Sequence, residues 1–356
     1  MRAYLPSYQL ISTPSLTEAL EVLSPNDGHW KPFAGGTDLM VLLEAGKLPH
    51  KNYVNIWNLK ELRGIEVSED HVTLGALTTY TEVQNHAVLQ KEFPMLCQAA
   101  RETGGIAIQN RGTLGGNIVN ASPAADSPPA LLAYDAELEL ISKHGERRIP
   151  YSRFHNAYKQ MDLRADELLR AIRLPRTSDR FHYYRKVGTR KAQAISKVCF
   201  AGVIEIVDRR VAHLRMALGS VAPIPIRCEK TEASLSNQPL NSETIALATS
   251  TLTSEIVPID DIRSTRDYRL RVSLNLLQDF LASAPLRRST GNPNNCSVSQ
   301  HMTGSRASSR ELQSRFELHE GHRAPSEALP VCRDRGIFPF LFNQRVFTTA
   351  ATCCDL

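Results

Sequence analysis

The sequence lacks most patterns that announce a cofactor or a metal. Among its seven cysteines no two stand in a C-x-x-C spacing. Neither a zinc site nor an iron–sulfur cluster is therefore expected on this chain, and any cluster it works with must sit on a partner. No G-x-x-x-x-G-K-[ST] run occurs, which removes the Walker route to a nucleotide. The chain holds 19 glycines, yet no two are separated by a single residue, which removes the usual Rossmann fingerprint. There is no H-E-x-x-H, no G-x-S-x-G and no evident nucleophile triad. No run of about 18 apolar residues exists, so no transmembrane helix is expected. The opening stretch MRAYLPSYQL lacks the apolar core of a signal peptide, and the expected location is the cytoplasm. The net charge of +5 is not gathered into a dense basic run. Neither nucleic acid nor a membrane is an expected partner.

What the chain does have is two glycine-rich turns in an otherwise ordinary composition. Its 356 residues are 42% hydrophobic and 22% charged, which suits a soluble protein of about two domains. The first turn is Ala34-Gly35-Gly36-Thr37-Asp38, preceded by Lys31-Pro32-Phe33 and followed by Leu39, Val41, Leu42 and Leu43. This reads as strand, turn, helix. The first N–H groups of such a helix have no partner, and the positive dipole end behind them suits a phosphate. The simpler reading is a turn in which Thr37 or Asp38 caps the helix. The second run is Arg111-Gly112-Thr113-Leu114-Gly115-Gly116-Asn117-Ile118-Val119-Asn120-Ala121-Ser122-Pro123-Ala124-Ala125-Asp126. It reads as a loop whose N–H groups converge on an anion as a nest. Two such turns facing one another point to a phosphate-bearing cofactor, and their pairing narrows it toward a dinucleotide.

The rest of the chain reads as α+β. Residues 1–60 read β-α-β, with Ser15-Leu16-Thr17-Glu18 as a capping box and Leu16, Ala19, Leu20 and Leu23 at helical spacing. A hairpin is expected at Ile65–Val67 and Val72–Leu74. Helices are expected over Glu82–Gln90 and Met95–Glu102, and strands over Ala136–Ile141 and Glu167–Leu174. Beyond Pro175 the pattern changes to three antiparallel strands, Phe181–Lys186, Ser196–Val207 and Val211–Leu218, followed by two helices. A domain boundary is placed near residue 178, giving domains 1–178 and 179–286. Residues 287–356 form an atypical tail with no lysine and four of the seven cysteines. Its composition favours a disordered, out-of-frame extension over a docking tail.

The segments Lys31–Leu39, Asn110–Asn117 and Asn120–Asp126 together resemble the FAD-binding medium subunit of the molybdenum hydroxylases, the xanthine dehydrogenase family. The likeness runs through about residues 1–285 in order, and the tail is outside it. The resemblance implies a two-subdomain FAD-binding fold of the vanillyl-alcohol-oxidase (PCMH) type plus a smaller C-terminal α+β domain. It implies non-covalent FAD, with Pro32, Phe33, Ala34, Gly35, Gly36, Thr37, Asp38 and Leu39 along the pyrophosphate. Thr113, Gly115, Gly116 and Asn117 would close the other side. Asp126 would bond the ribityl or phosphate region, Leu169 (or Leu168 by a one-residue slip) would pack near the flavin, and Lys186 would lie beside it. The alternatives are a helix cap for Asp126 and a solvated strand lysine for Lys186. Some members carry an aromatic residue just before the second motif. Here Thr103–Ile108 has none, and Ile106 or Ile108 would pack there. The implied partners are a molybdopterin-binding large subunit and a small subunit with two [2Fe–2S] clusters, in a hetero-oligomer. Electrons would pass from those clusters to FAD and on to NAD or another acceptor. The rival functions are a stand-alone flavin oxidase of the same superfold and a non-enzymatic assembly subunit.

Overall fold

The computed structural model describes residues 7–25, 27–177, 180–190 and 193–285. The tail at 287–356 lies outside the described residues. The first subdomain is β1 (Gln9–Ser12), α1 (Leu16–Leu23), β2 (Trp30–Phe33), α2 (Leu39–Glu44) and β3 (Asn52–Asn55). Its three strands run parallel in the order β1-β3-β2, as the β-α-β reading expects. The Ser15 hydroxyl accepts the Glu18 N–H at 3.3 Å and starts α1. Leu16, Ala19, Leu20 and Leu23 then share one buried face, and with Val54, Leu59 and Leu62 they build a small core that Leu77 and Leu168, further along the chain, also enter.

The second subdomain begins with the hairpin β4 (Ile65–Val67) and β5 (His71–Gly75). Six short helices follow: α3 (Tyr80–Asn85), α4 (Ala87–Glu92), α5 (Pro94–Glu102), α6 (Ile106–Arg111), α7 (Leu114–Val119) and α8 (Ser127–Ala133). The expected single helix over Glu82–Gln90 is two, because His86 takes an extended backbone (φ −85°, ψ 119°) between α3 and α4. The strands β6 (Glu137–Ser142), β7 (Gly145–Pro150), β8 (His155–Ala157), β9 (Gln160–Met161) and β10 (Leu168–Pro175) complete it. An antiparallel sheet of order β4-β5-β10-β6-β7 forms its floor, and β8-β9 is a separate small hairpin.

The C-terminal domain pairs β11 (Phe181–Val187), β12 (Val198–Val207), β13 (Arg210–Gly219) and β14 (Ile226–Arg227) into one antiparallel sheet. Asp208 and Arg209 both have positive φ (48° and 65°) in the β12–β13 turn, the twist a two-residue hairpin needs. Three helices follow among the described residues: α9 (Glu229–Leu235), α10 (Ser242–Glu255) and α11 (Arg266–Ser283). The sequence reading counted two, since α9 spans only two turns and carries little periodic signal. Phe200, Leu252, Leu277 and Phe280 belong to this domain's core.

The expected boundary at 178 falls between β10 and β11. The main core nevertheless crosses it. Tyr184, Cys199, Ala201, Val203 and Ala217 join the cluster built by α3, α5, α8 and the central sheet. No helix among the described residues is long and apolar enough to cross a membrane.

Candidate functional site

A cavity of about 740 Å3 lies between the first and second subdomains. Of the residues singled out in the sequence, Pro32, Ala34, Gly35, Gly36, Thr37, Asp38 and Leu39 line it from one side. Thr113, Gly115, Gly116, Asn117, Leu168 and Leu169 line it from the other. The two motifs also touch directly: a Cβ built on Gly35 would lie 1.8 Å from the Arg111 carbonyl oxygen. Phe33 is not in the wall. Its ring packs under Gly36, whose φ of +77° turns the chain there.

The first turn keeps the open N–H groups its sequence promised. Among the described residues, no acceptor takes the backbone N–H of Gly35, Gly36, Thr37, Asp38 or Leu39. Asp38 stands at the N-cap of α2 but its carboxylate makes no capping bond, so the simpler reading of this turn does not describe it. The cavity thus carries a concave row of unpaired donors on a glycine turn, an arrangement suited to phosphate oxygens.

The second motif departs from the expected nest. It is helical, not a loop: Thr113 caps α7, and its hydroxyl accepts the Gly116 N–H at 3.0 Å. The Leu114 N–H donates to the Thr78 carbonyl and the Gly115 N–H to the Ala76 carbonyl, at 2.9 and 2.8 Å, and the Asn117 N–H donates to the Thr113 carbonyl. These donors are therefore occupied within the chain and cannot gather an anion. The glycines here serve close approach instead. A Cβ on Gly115 would meet Ala76 at 2.7 Å, and one on Gly112 would meet the Tyr80 ring at 2.7 Å. What α7 does offer the cavity is Asn117, whose buried Oδ1 has no hydrogen-bond partner.

Both Leu168 and Leu169 reach the wall, beside a register shift in β10 between Leu169 and Ala171. A regular strand would aim consecutive side chains to opposite faces. Ile108 lines the cavity while Ile106 is 69% exposed. The wall is not without aromatics, since Tyr53 and Tyr80 both line it. Neither was singled out in the sequence.

Asp126 and Lys186 are not cavity-lining residues. They meet each other behind the wall, Lys186 Nζ donating to Asp126 Oδ2 at 2.7 Å and to the Glu102 carbonyl at 2.8 Å. Glu102 precedes Thr103, which does line the cavity. The Ser196 hydroxyl donates to Asp126 Oδ1 at 2.5 Å, and the Tyr184 hydroxyl to the Asp126 carbonyl at 3.1 Å. The Asp126 side chain makes no cap bond to α8, and the Lys186 side chain is only 6% exposed. A helix cap and a solvated strand lysine thus describe neither residue. Burial pushes the Asp126 carboxyl above the ordinary carboxylate range, against the opposing pull of Lys186.

A second charged group was missed altogether. Arg147 on β7 donates from Nε and Nη2 to both oxygens of Glu167, at 2.7 and 2.8 Å, and from Nη1 and Nη2 to Asp162. Glu167 lines the cavity with its side chain 3% exposed. Burial works to raise its pKa, but the Arg147 bonds, the Arg164 N–H and both guanidinium charges hold it below the ordinary range. The pairing neutralises a carboxylate in the wall of the cavity that the Gly35-Gly36 turn also lines. On an alternating edge strand an arginine reads as solvated, so only the fold reveals this role. A lowered folded pKa contributes stability above the unfolded value and loses it as pH falls through the folded one. Arg147→Met is expected to destabilise the chain by about 3 kcal/mol at neutral pH. Urea unfolding should show the gap between variant and wild type narrowing as pH falls through the carboxylate range and Glu167 becomes protonated.

Comparison with known proteins agrees with this architecture. Residues 6–177 match the FAD binding domain in molybdopterin dehydrogenase, and residues 182–284 match the CO dehydrogenase flavoprotein C-terminal domain. The chain is therefore a flavoprotein subunit of an oxidoreductase, with the two-subdomain FAD-binding fold and its smaller C-terminal domain. It is 33% identical to a xanthine dehydrogenase FAD-binding subunit from Escherichia coli, over 78% of this chain and 95% of that one. It is 30% identical to the glyceraldehyde dehydrogenase medium chain of Sulfolobus acidocaldarius, over 76% of this chain and 95% of that one. The structure of carbon monoxide dehydrogenase from Hydrogenophaga pseudoflava superposes with a TM-score of 0.75 at 26% identity, covering 78% of this chain and 97% of that one. The chain belongs to the FAD-binding subunits of the molybdenum hydroxylase family.

Proposed function

We propose that this chain is the electron-transfer subunit of a xanthine dehydrogenase-like complex, standing between two [2Fe–2S] clusters on a small partner and NAD+ as acceptor. A molybdopterin-binding large subunit would carry the substrate site. The observation that supports this reading is the meeting of both glycine motifs on one cavity of about 740 Å3, of a size for a large, mostly enclosed ligand.

The residues present fit FAD. The unpaired N–H groups of Gly35–Leu39 would hold the pyrophosphate, and the orphaned Asn117 Oδ1 offers an acceptor to a hydroxyl or ring N–H. Leu168, Leu169, Ile108 and Tyr80 give the rest of the wall its apolar character. Bound FAD supplies the capacity to take up electrons singly or in pairs, which the protein itself lacks. The chain's own part is to bind, orient and shield. No candidate metal cluster of His, Cys, Asp or Glu occurs among the described residues. Asp126 and Lys186 stay in this reading as a support behind the wall near Thr103.

The test is to purify the full chain with its co-expressed neighbouring subunits and record the flavin spectrum under anaerobic conditions. Bleaching by NADH is expected. A flavin that NADH leaves oxidised, while xanthine or a chemically reduced dye reduces it, would assign a different acceptor. Colourless protein that takes up no added FAD would overturn the reading as a whole.

A further inference from the structure

The two cavity-forming motifs belong to different subdomains, which share the buried core around Leu62, Leu77 and Leu168 and also meet at a part-exposed seam. Trp57 follows β3, its N–H donating to Asn55 Oδ1 at 3.0 Å. Its indole lies under two guanidinium groups: Arg63 at 4.4 Å and Arg111 at 3.8 Å from the ring centroid. Arg63 is fixed there by Nε and Nη2 bonds to the Trp57 carbonyl at 3.2 and 2.6 Å. Arg111 ends α6, immediately before Gly112, and its Nε reaches the Gly35 carbonyl at 3.4 Å. Gly35 in turn sits on the Arg111 backbone. None of Trp57, Arg63 or Arg111 lines the cavity.

We infer that Trp57, gripped by Arg63 and Arg111, is a positioning residue that sets the spacing of the two FAD-cradling motifs and so the rate at which FAD escapes. The inference rests on FAD being the cavity's ligand. The glycine contact is a hard stop against closer approach, because backbone meets backbone. It supplies no attraction of its own, and the shared core of Leu62, Leu77 and Leu168 holds the subdomains together without fixing the spacing at this rim. The Arg111–indole stack and the bond to the Gly35 carbonyl supply the opposing pull. Arginine is the residue for this task, since its flat guanidinium stacks on an aromatic face and still donates sideways, which an ammonium does not do. A seam held open or shut in this way acts on ligand residence more than on folding, because neither Trp57 nor Arg111 belongs to a buried core.

The test compares wild type, Trp57→Leu and Trp57→Phe as full chains, with FAD loaded and its release followed by the recovery of flavin fluorescence. Trp57→Leu is expected to speed release about tenfold, the loss of a part-buried cation–π pair and its bond. Trp57→Phe, which keeps an aromatic face, is expected to recover most of that. Melting of the FAD-free chain should differ little among the three. Arg111→Lys, a surface change that keeps the charge but not the stack, is the second probe and should also speed release. Release rates equal to wild type in Trp57→Leu and Arg111→Lys would overturn the inference. So would a fall in apoprotein melting large enough to account for the faster release. Wild type that takes up no FAD would instead remove the ligand assignment beneath it.

Discussion

Gly35→Ala is expected to lose flavin. The methyl group would lie 1.8 Å from the Arg111 carbonyl oxygen, 2.8 Å from the carbonyl carbon and 3.5 Å from the Gly112 nitrogen. All three are backbone atoms, so no rotamer change can relieve the contact. Either the turn at 34–39 or the end of α6 must move by more than an ångström, and both carry cavity wall. Overpacking of this kind costs about 1–3 kcal/mol where the structure yields, and here it yields by parting the two motifs. The flavin affinity should fall by about 100-fold or more, equivalent to about 3 kcal/mol. Gly46 provides the contrast. Its φ is +67° but a Cβ there would meet nothing within 4 Å. Gly46→Ala should cost about 1 kcal/mol through backbone strain alone and leave flavin affinity as it was. Titration of FAD into both variants by fluorescence quenching separates the effects. Wild-type affinity in Gly35→Ala would show that the motifs need not touch.

That contrast also shows how far the sequence could be read. The strand–turn–helix at Lys31–Leu43 was legible because every determinant is local: a short apolar strand, two glycines, then a leucine-rich helix. The three long strands of the C-terminal domain were legible for the same reason. The second motif misled because its outcome depends on carbonyls far away in the chain. Glycine-rich sequence promised free N–H groups, but Ala76 and Thr78 accept two of them. Nothing in residues 111–126 encodes that meeting. Arg147 lies on β7 and Glu167, 20 residues away, lies just before β10, and an isolated arginine carries no signal of its eventual partner. Tyr80, which the sequence reading does not single out, is buried. Only the fold shows that it also lines the cavity. Motif chemistry was thus visible where neighbours in sequence decide it, and hidden where neighbours in space do.

Lys186→Met is expected to be the most damaging single change outside the cavity. It removes one member of an ion pair whose side chains are 6% and 10% exposed. The Asp126 carboxylate would remain buried, with the Ser196 hydroxyl as its remaining side-chain donor. Breaking such a pair from one side costs about 3–5 kcal/mol, because the abandoned charge stays in a poor solvent. The loss should depend on pH, and its direction follows from proton binding. Burial already holds the Asp126 pKa above its unfolded value, with Lys186 pulling it down. Between the two values the folded chain keeps a proton that the unfolded chain has released, so stability falls as pH rises through that window. Removing the cation moves the folded value further up and extends the window toward neutrality. Lys186→Met should therefore be hurt more at neutral pH than near the unfolded carboxylate value of about 4. Denaturant unfolding at both pH values measures this, and an equal loss at each would refute the buried-pair account. The double variant Lys186→Met with Asp126→Asn tests it a second way. It leaves no buried charge, so it should regain most of what the single change loses. Flavin need not follow stability. Lys186 also holds the Glu102 carbonyl, next to Thr103 in the cavity wall, and methionine cannot make that bond. A double variant restored in stability but still weak in FAD affinity would place the lysine's contribution to the site in this wall contact, independent of its charge balance with Asp126.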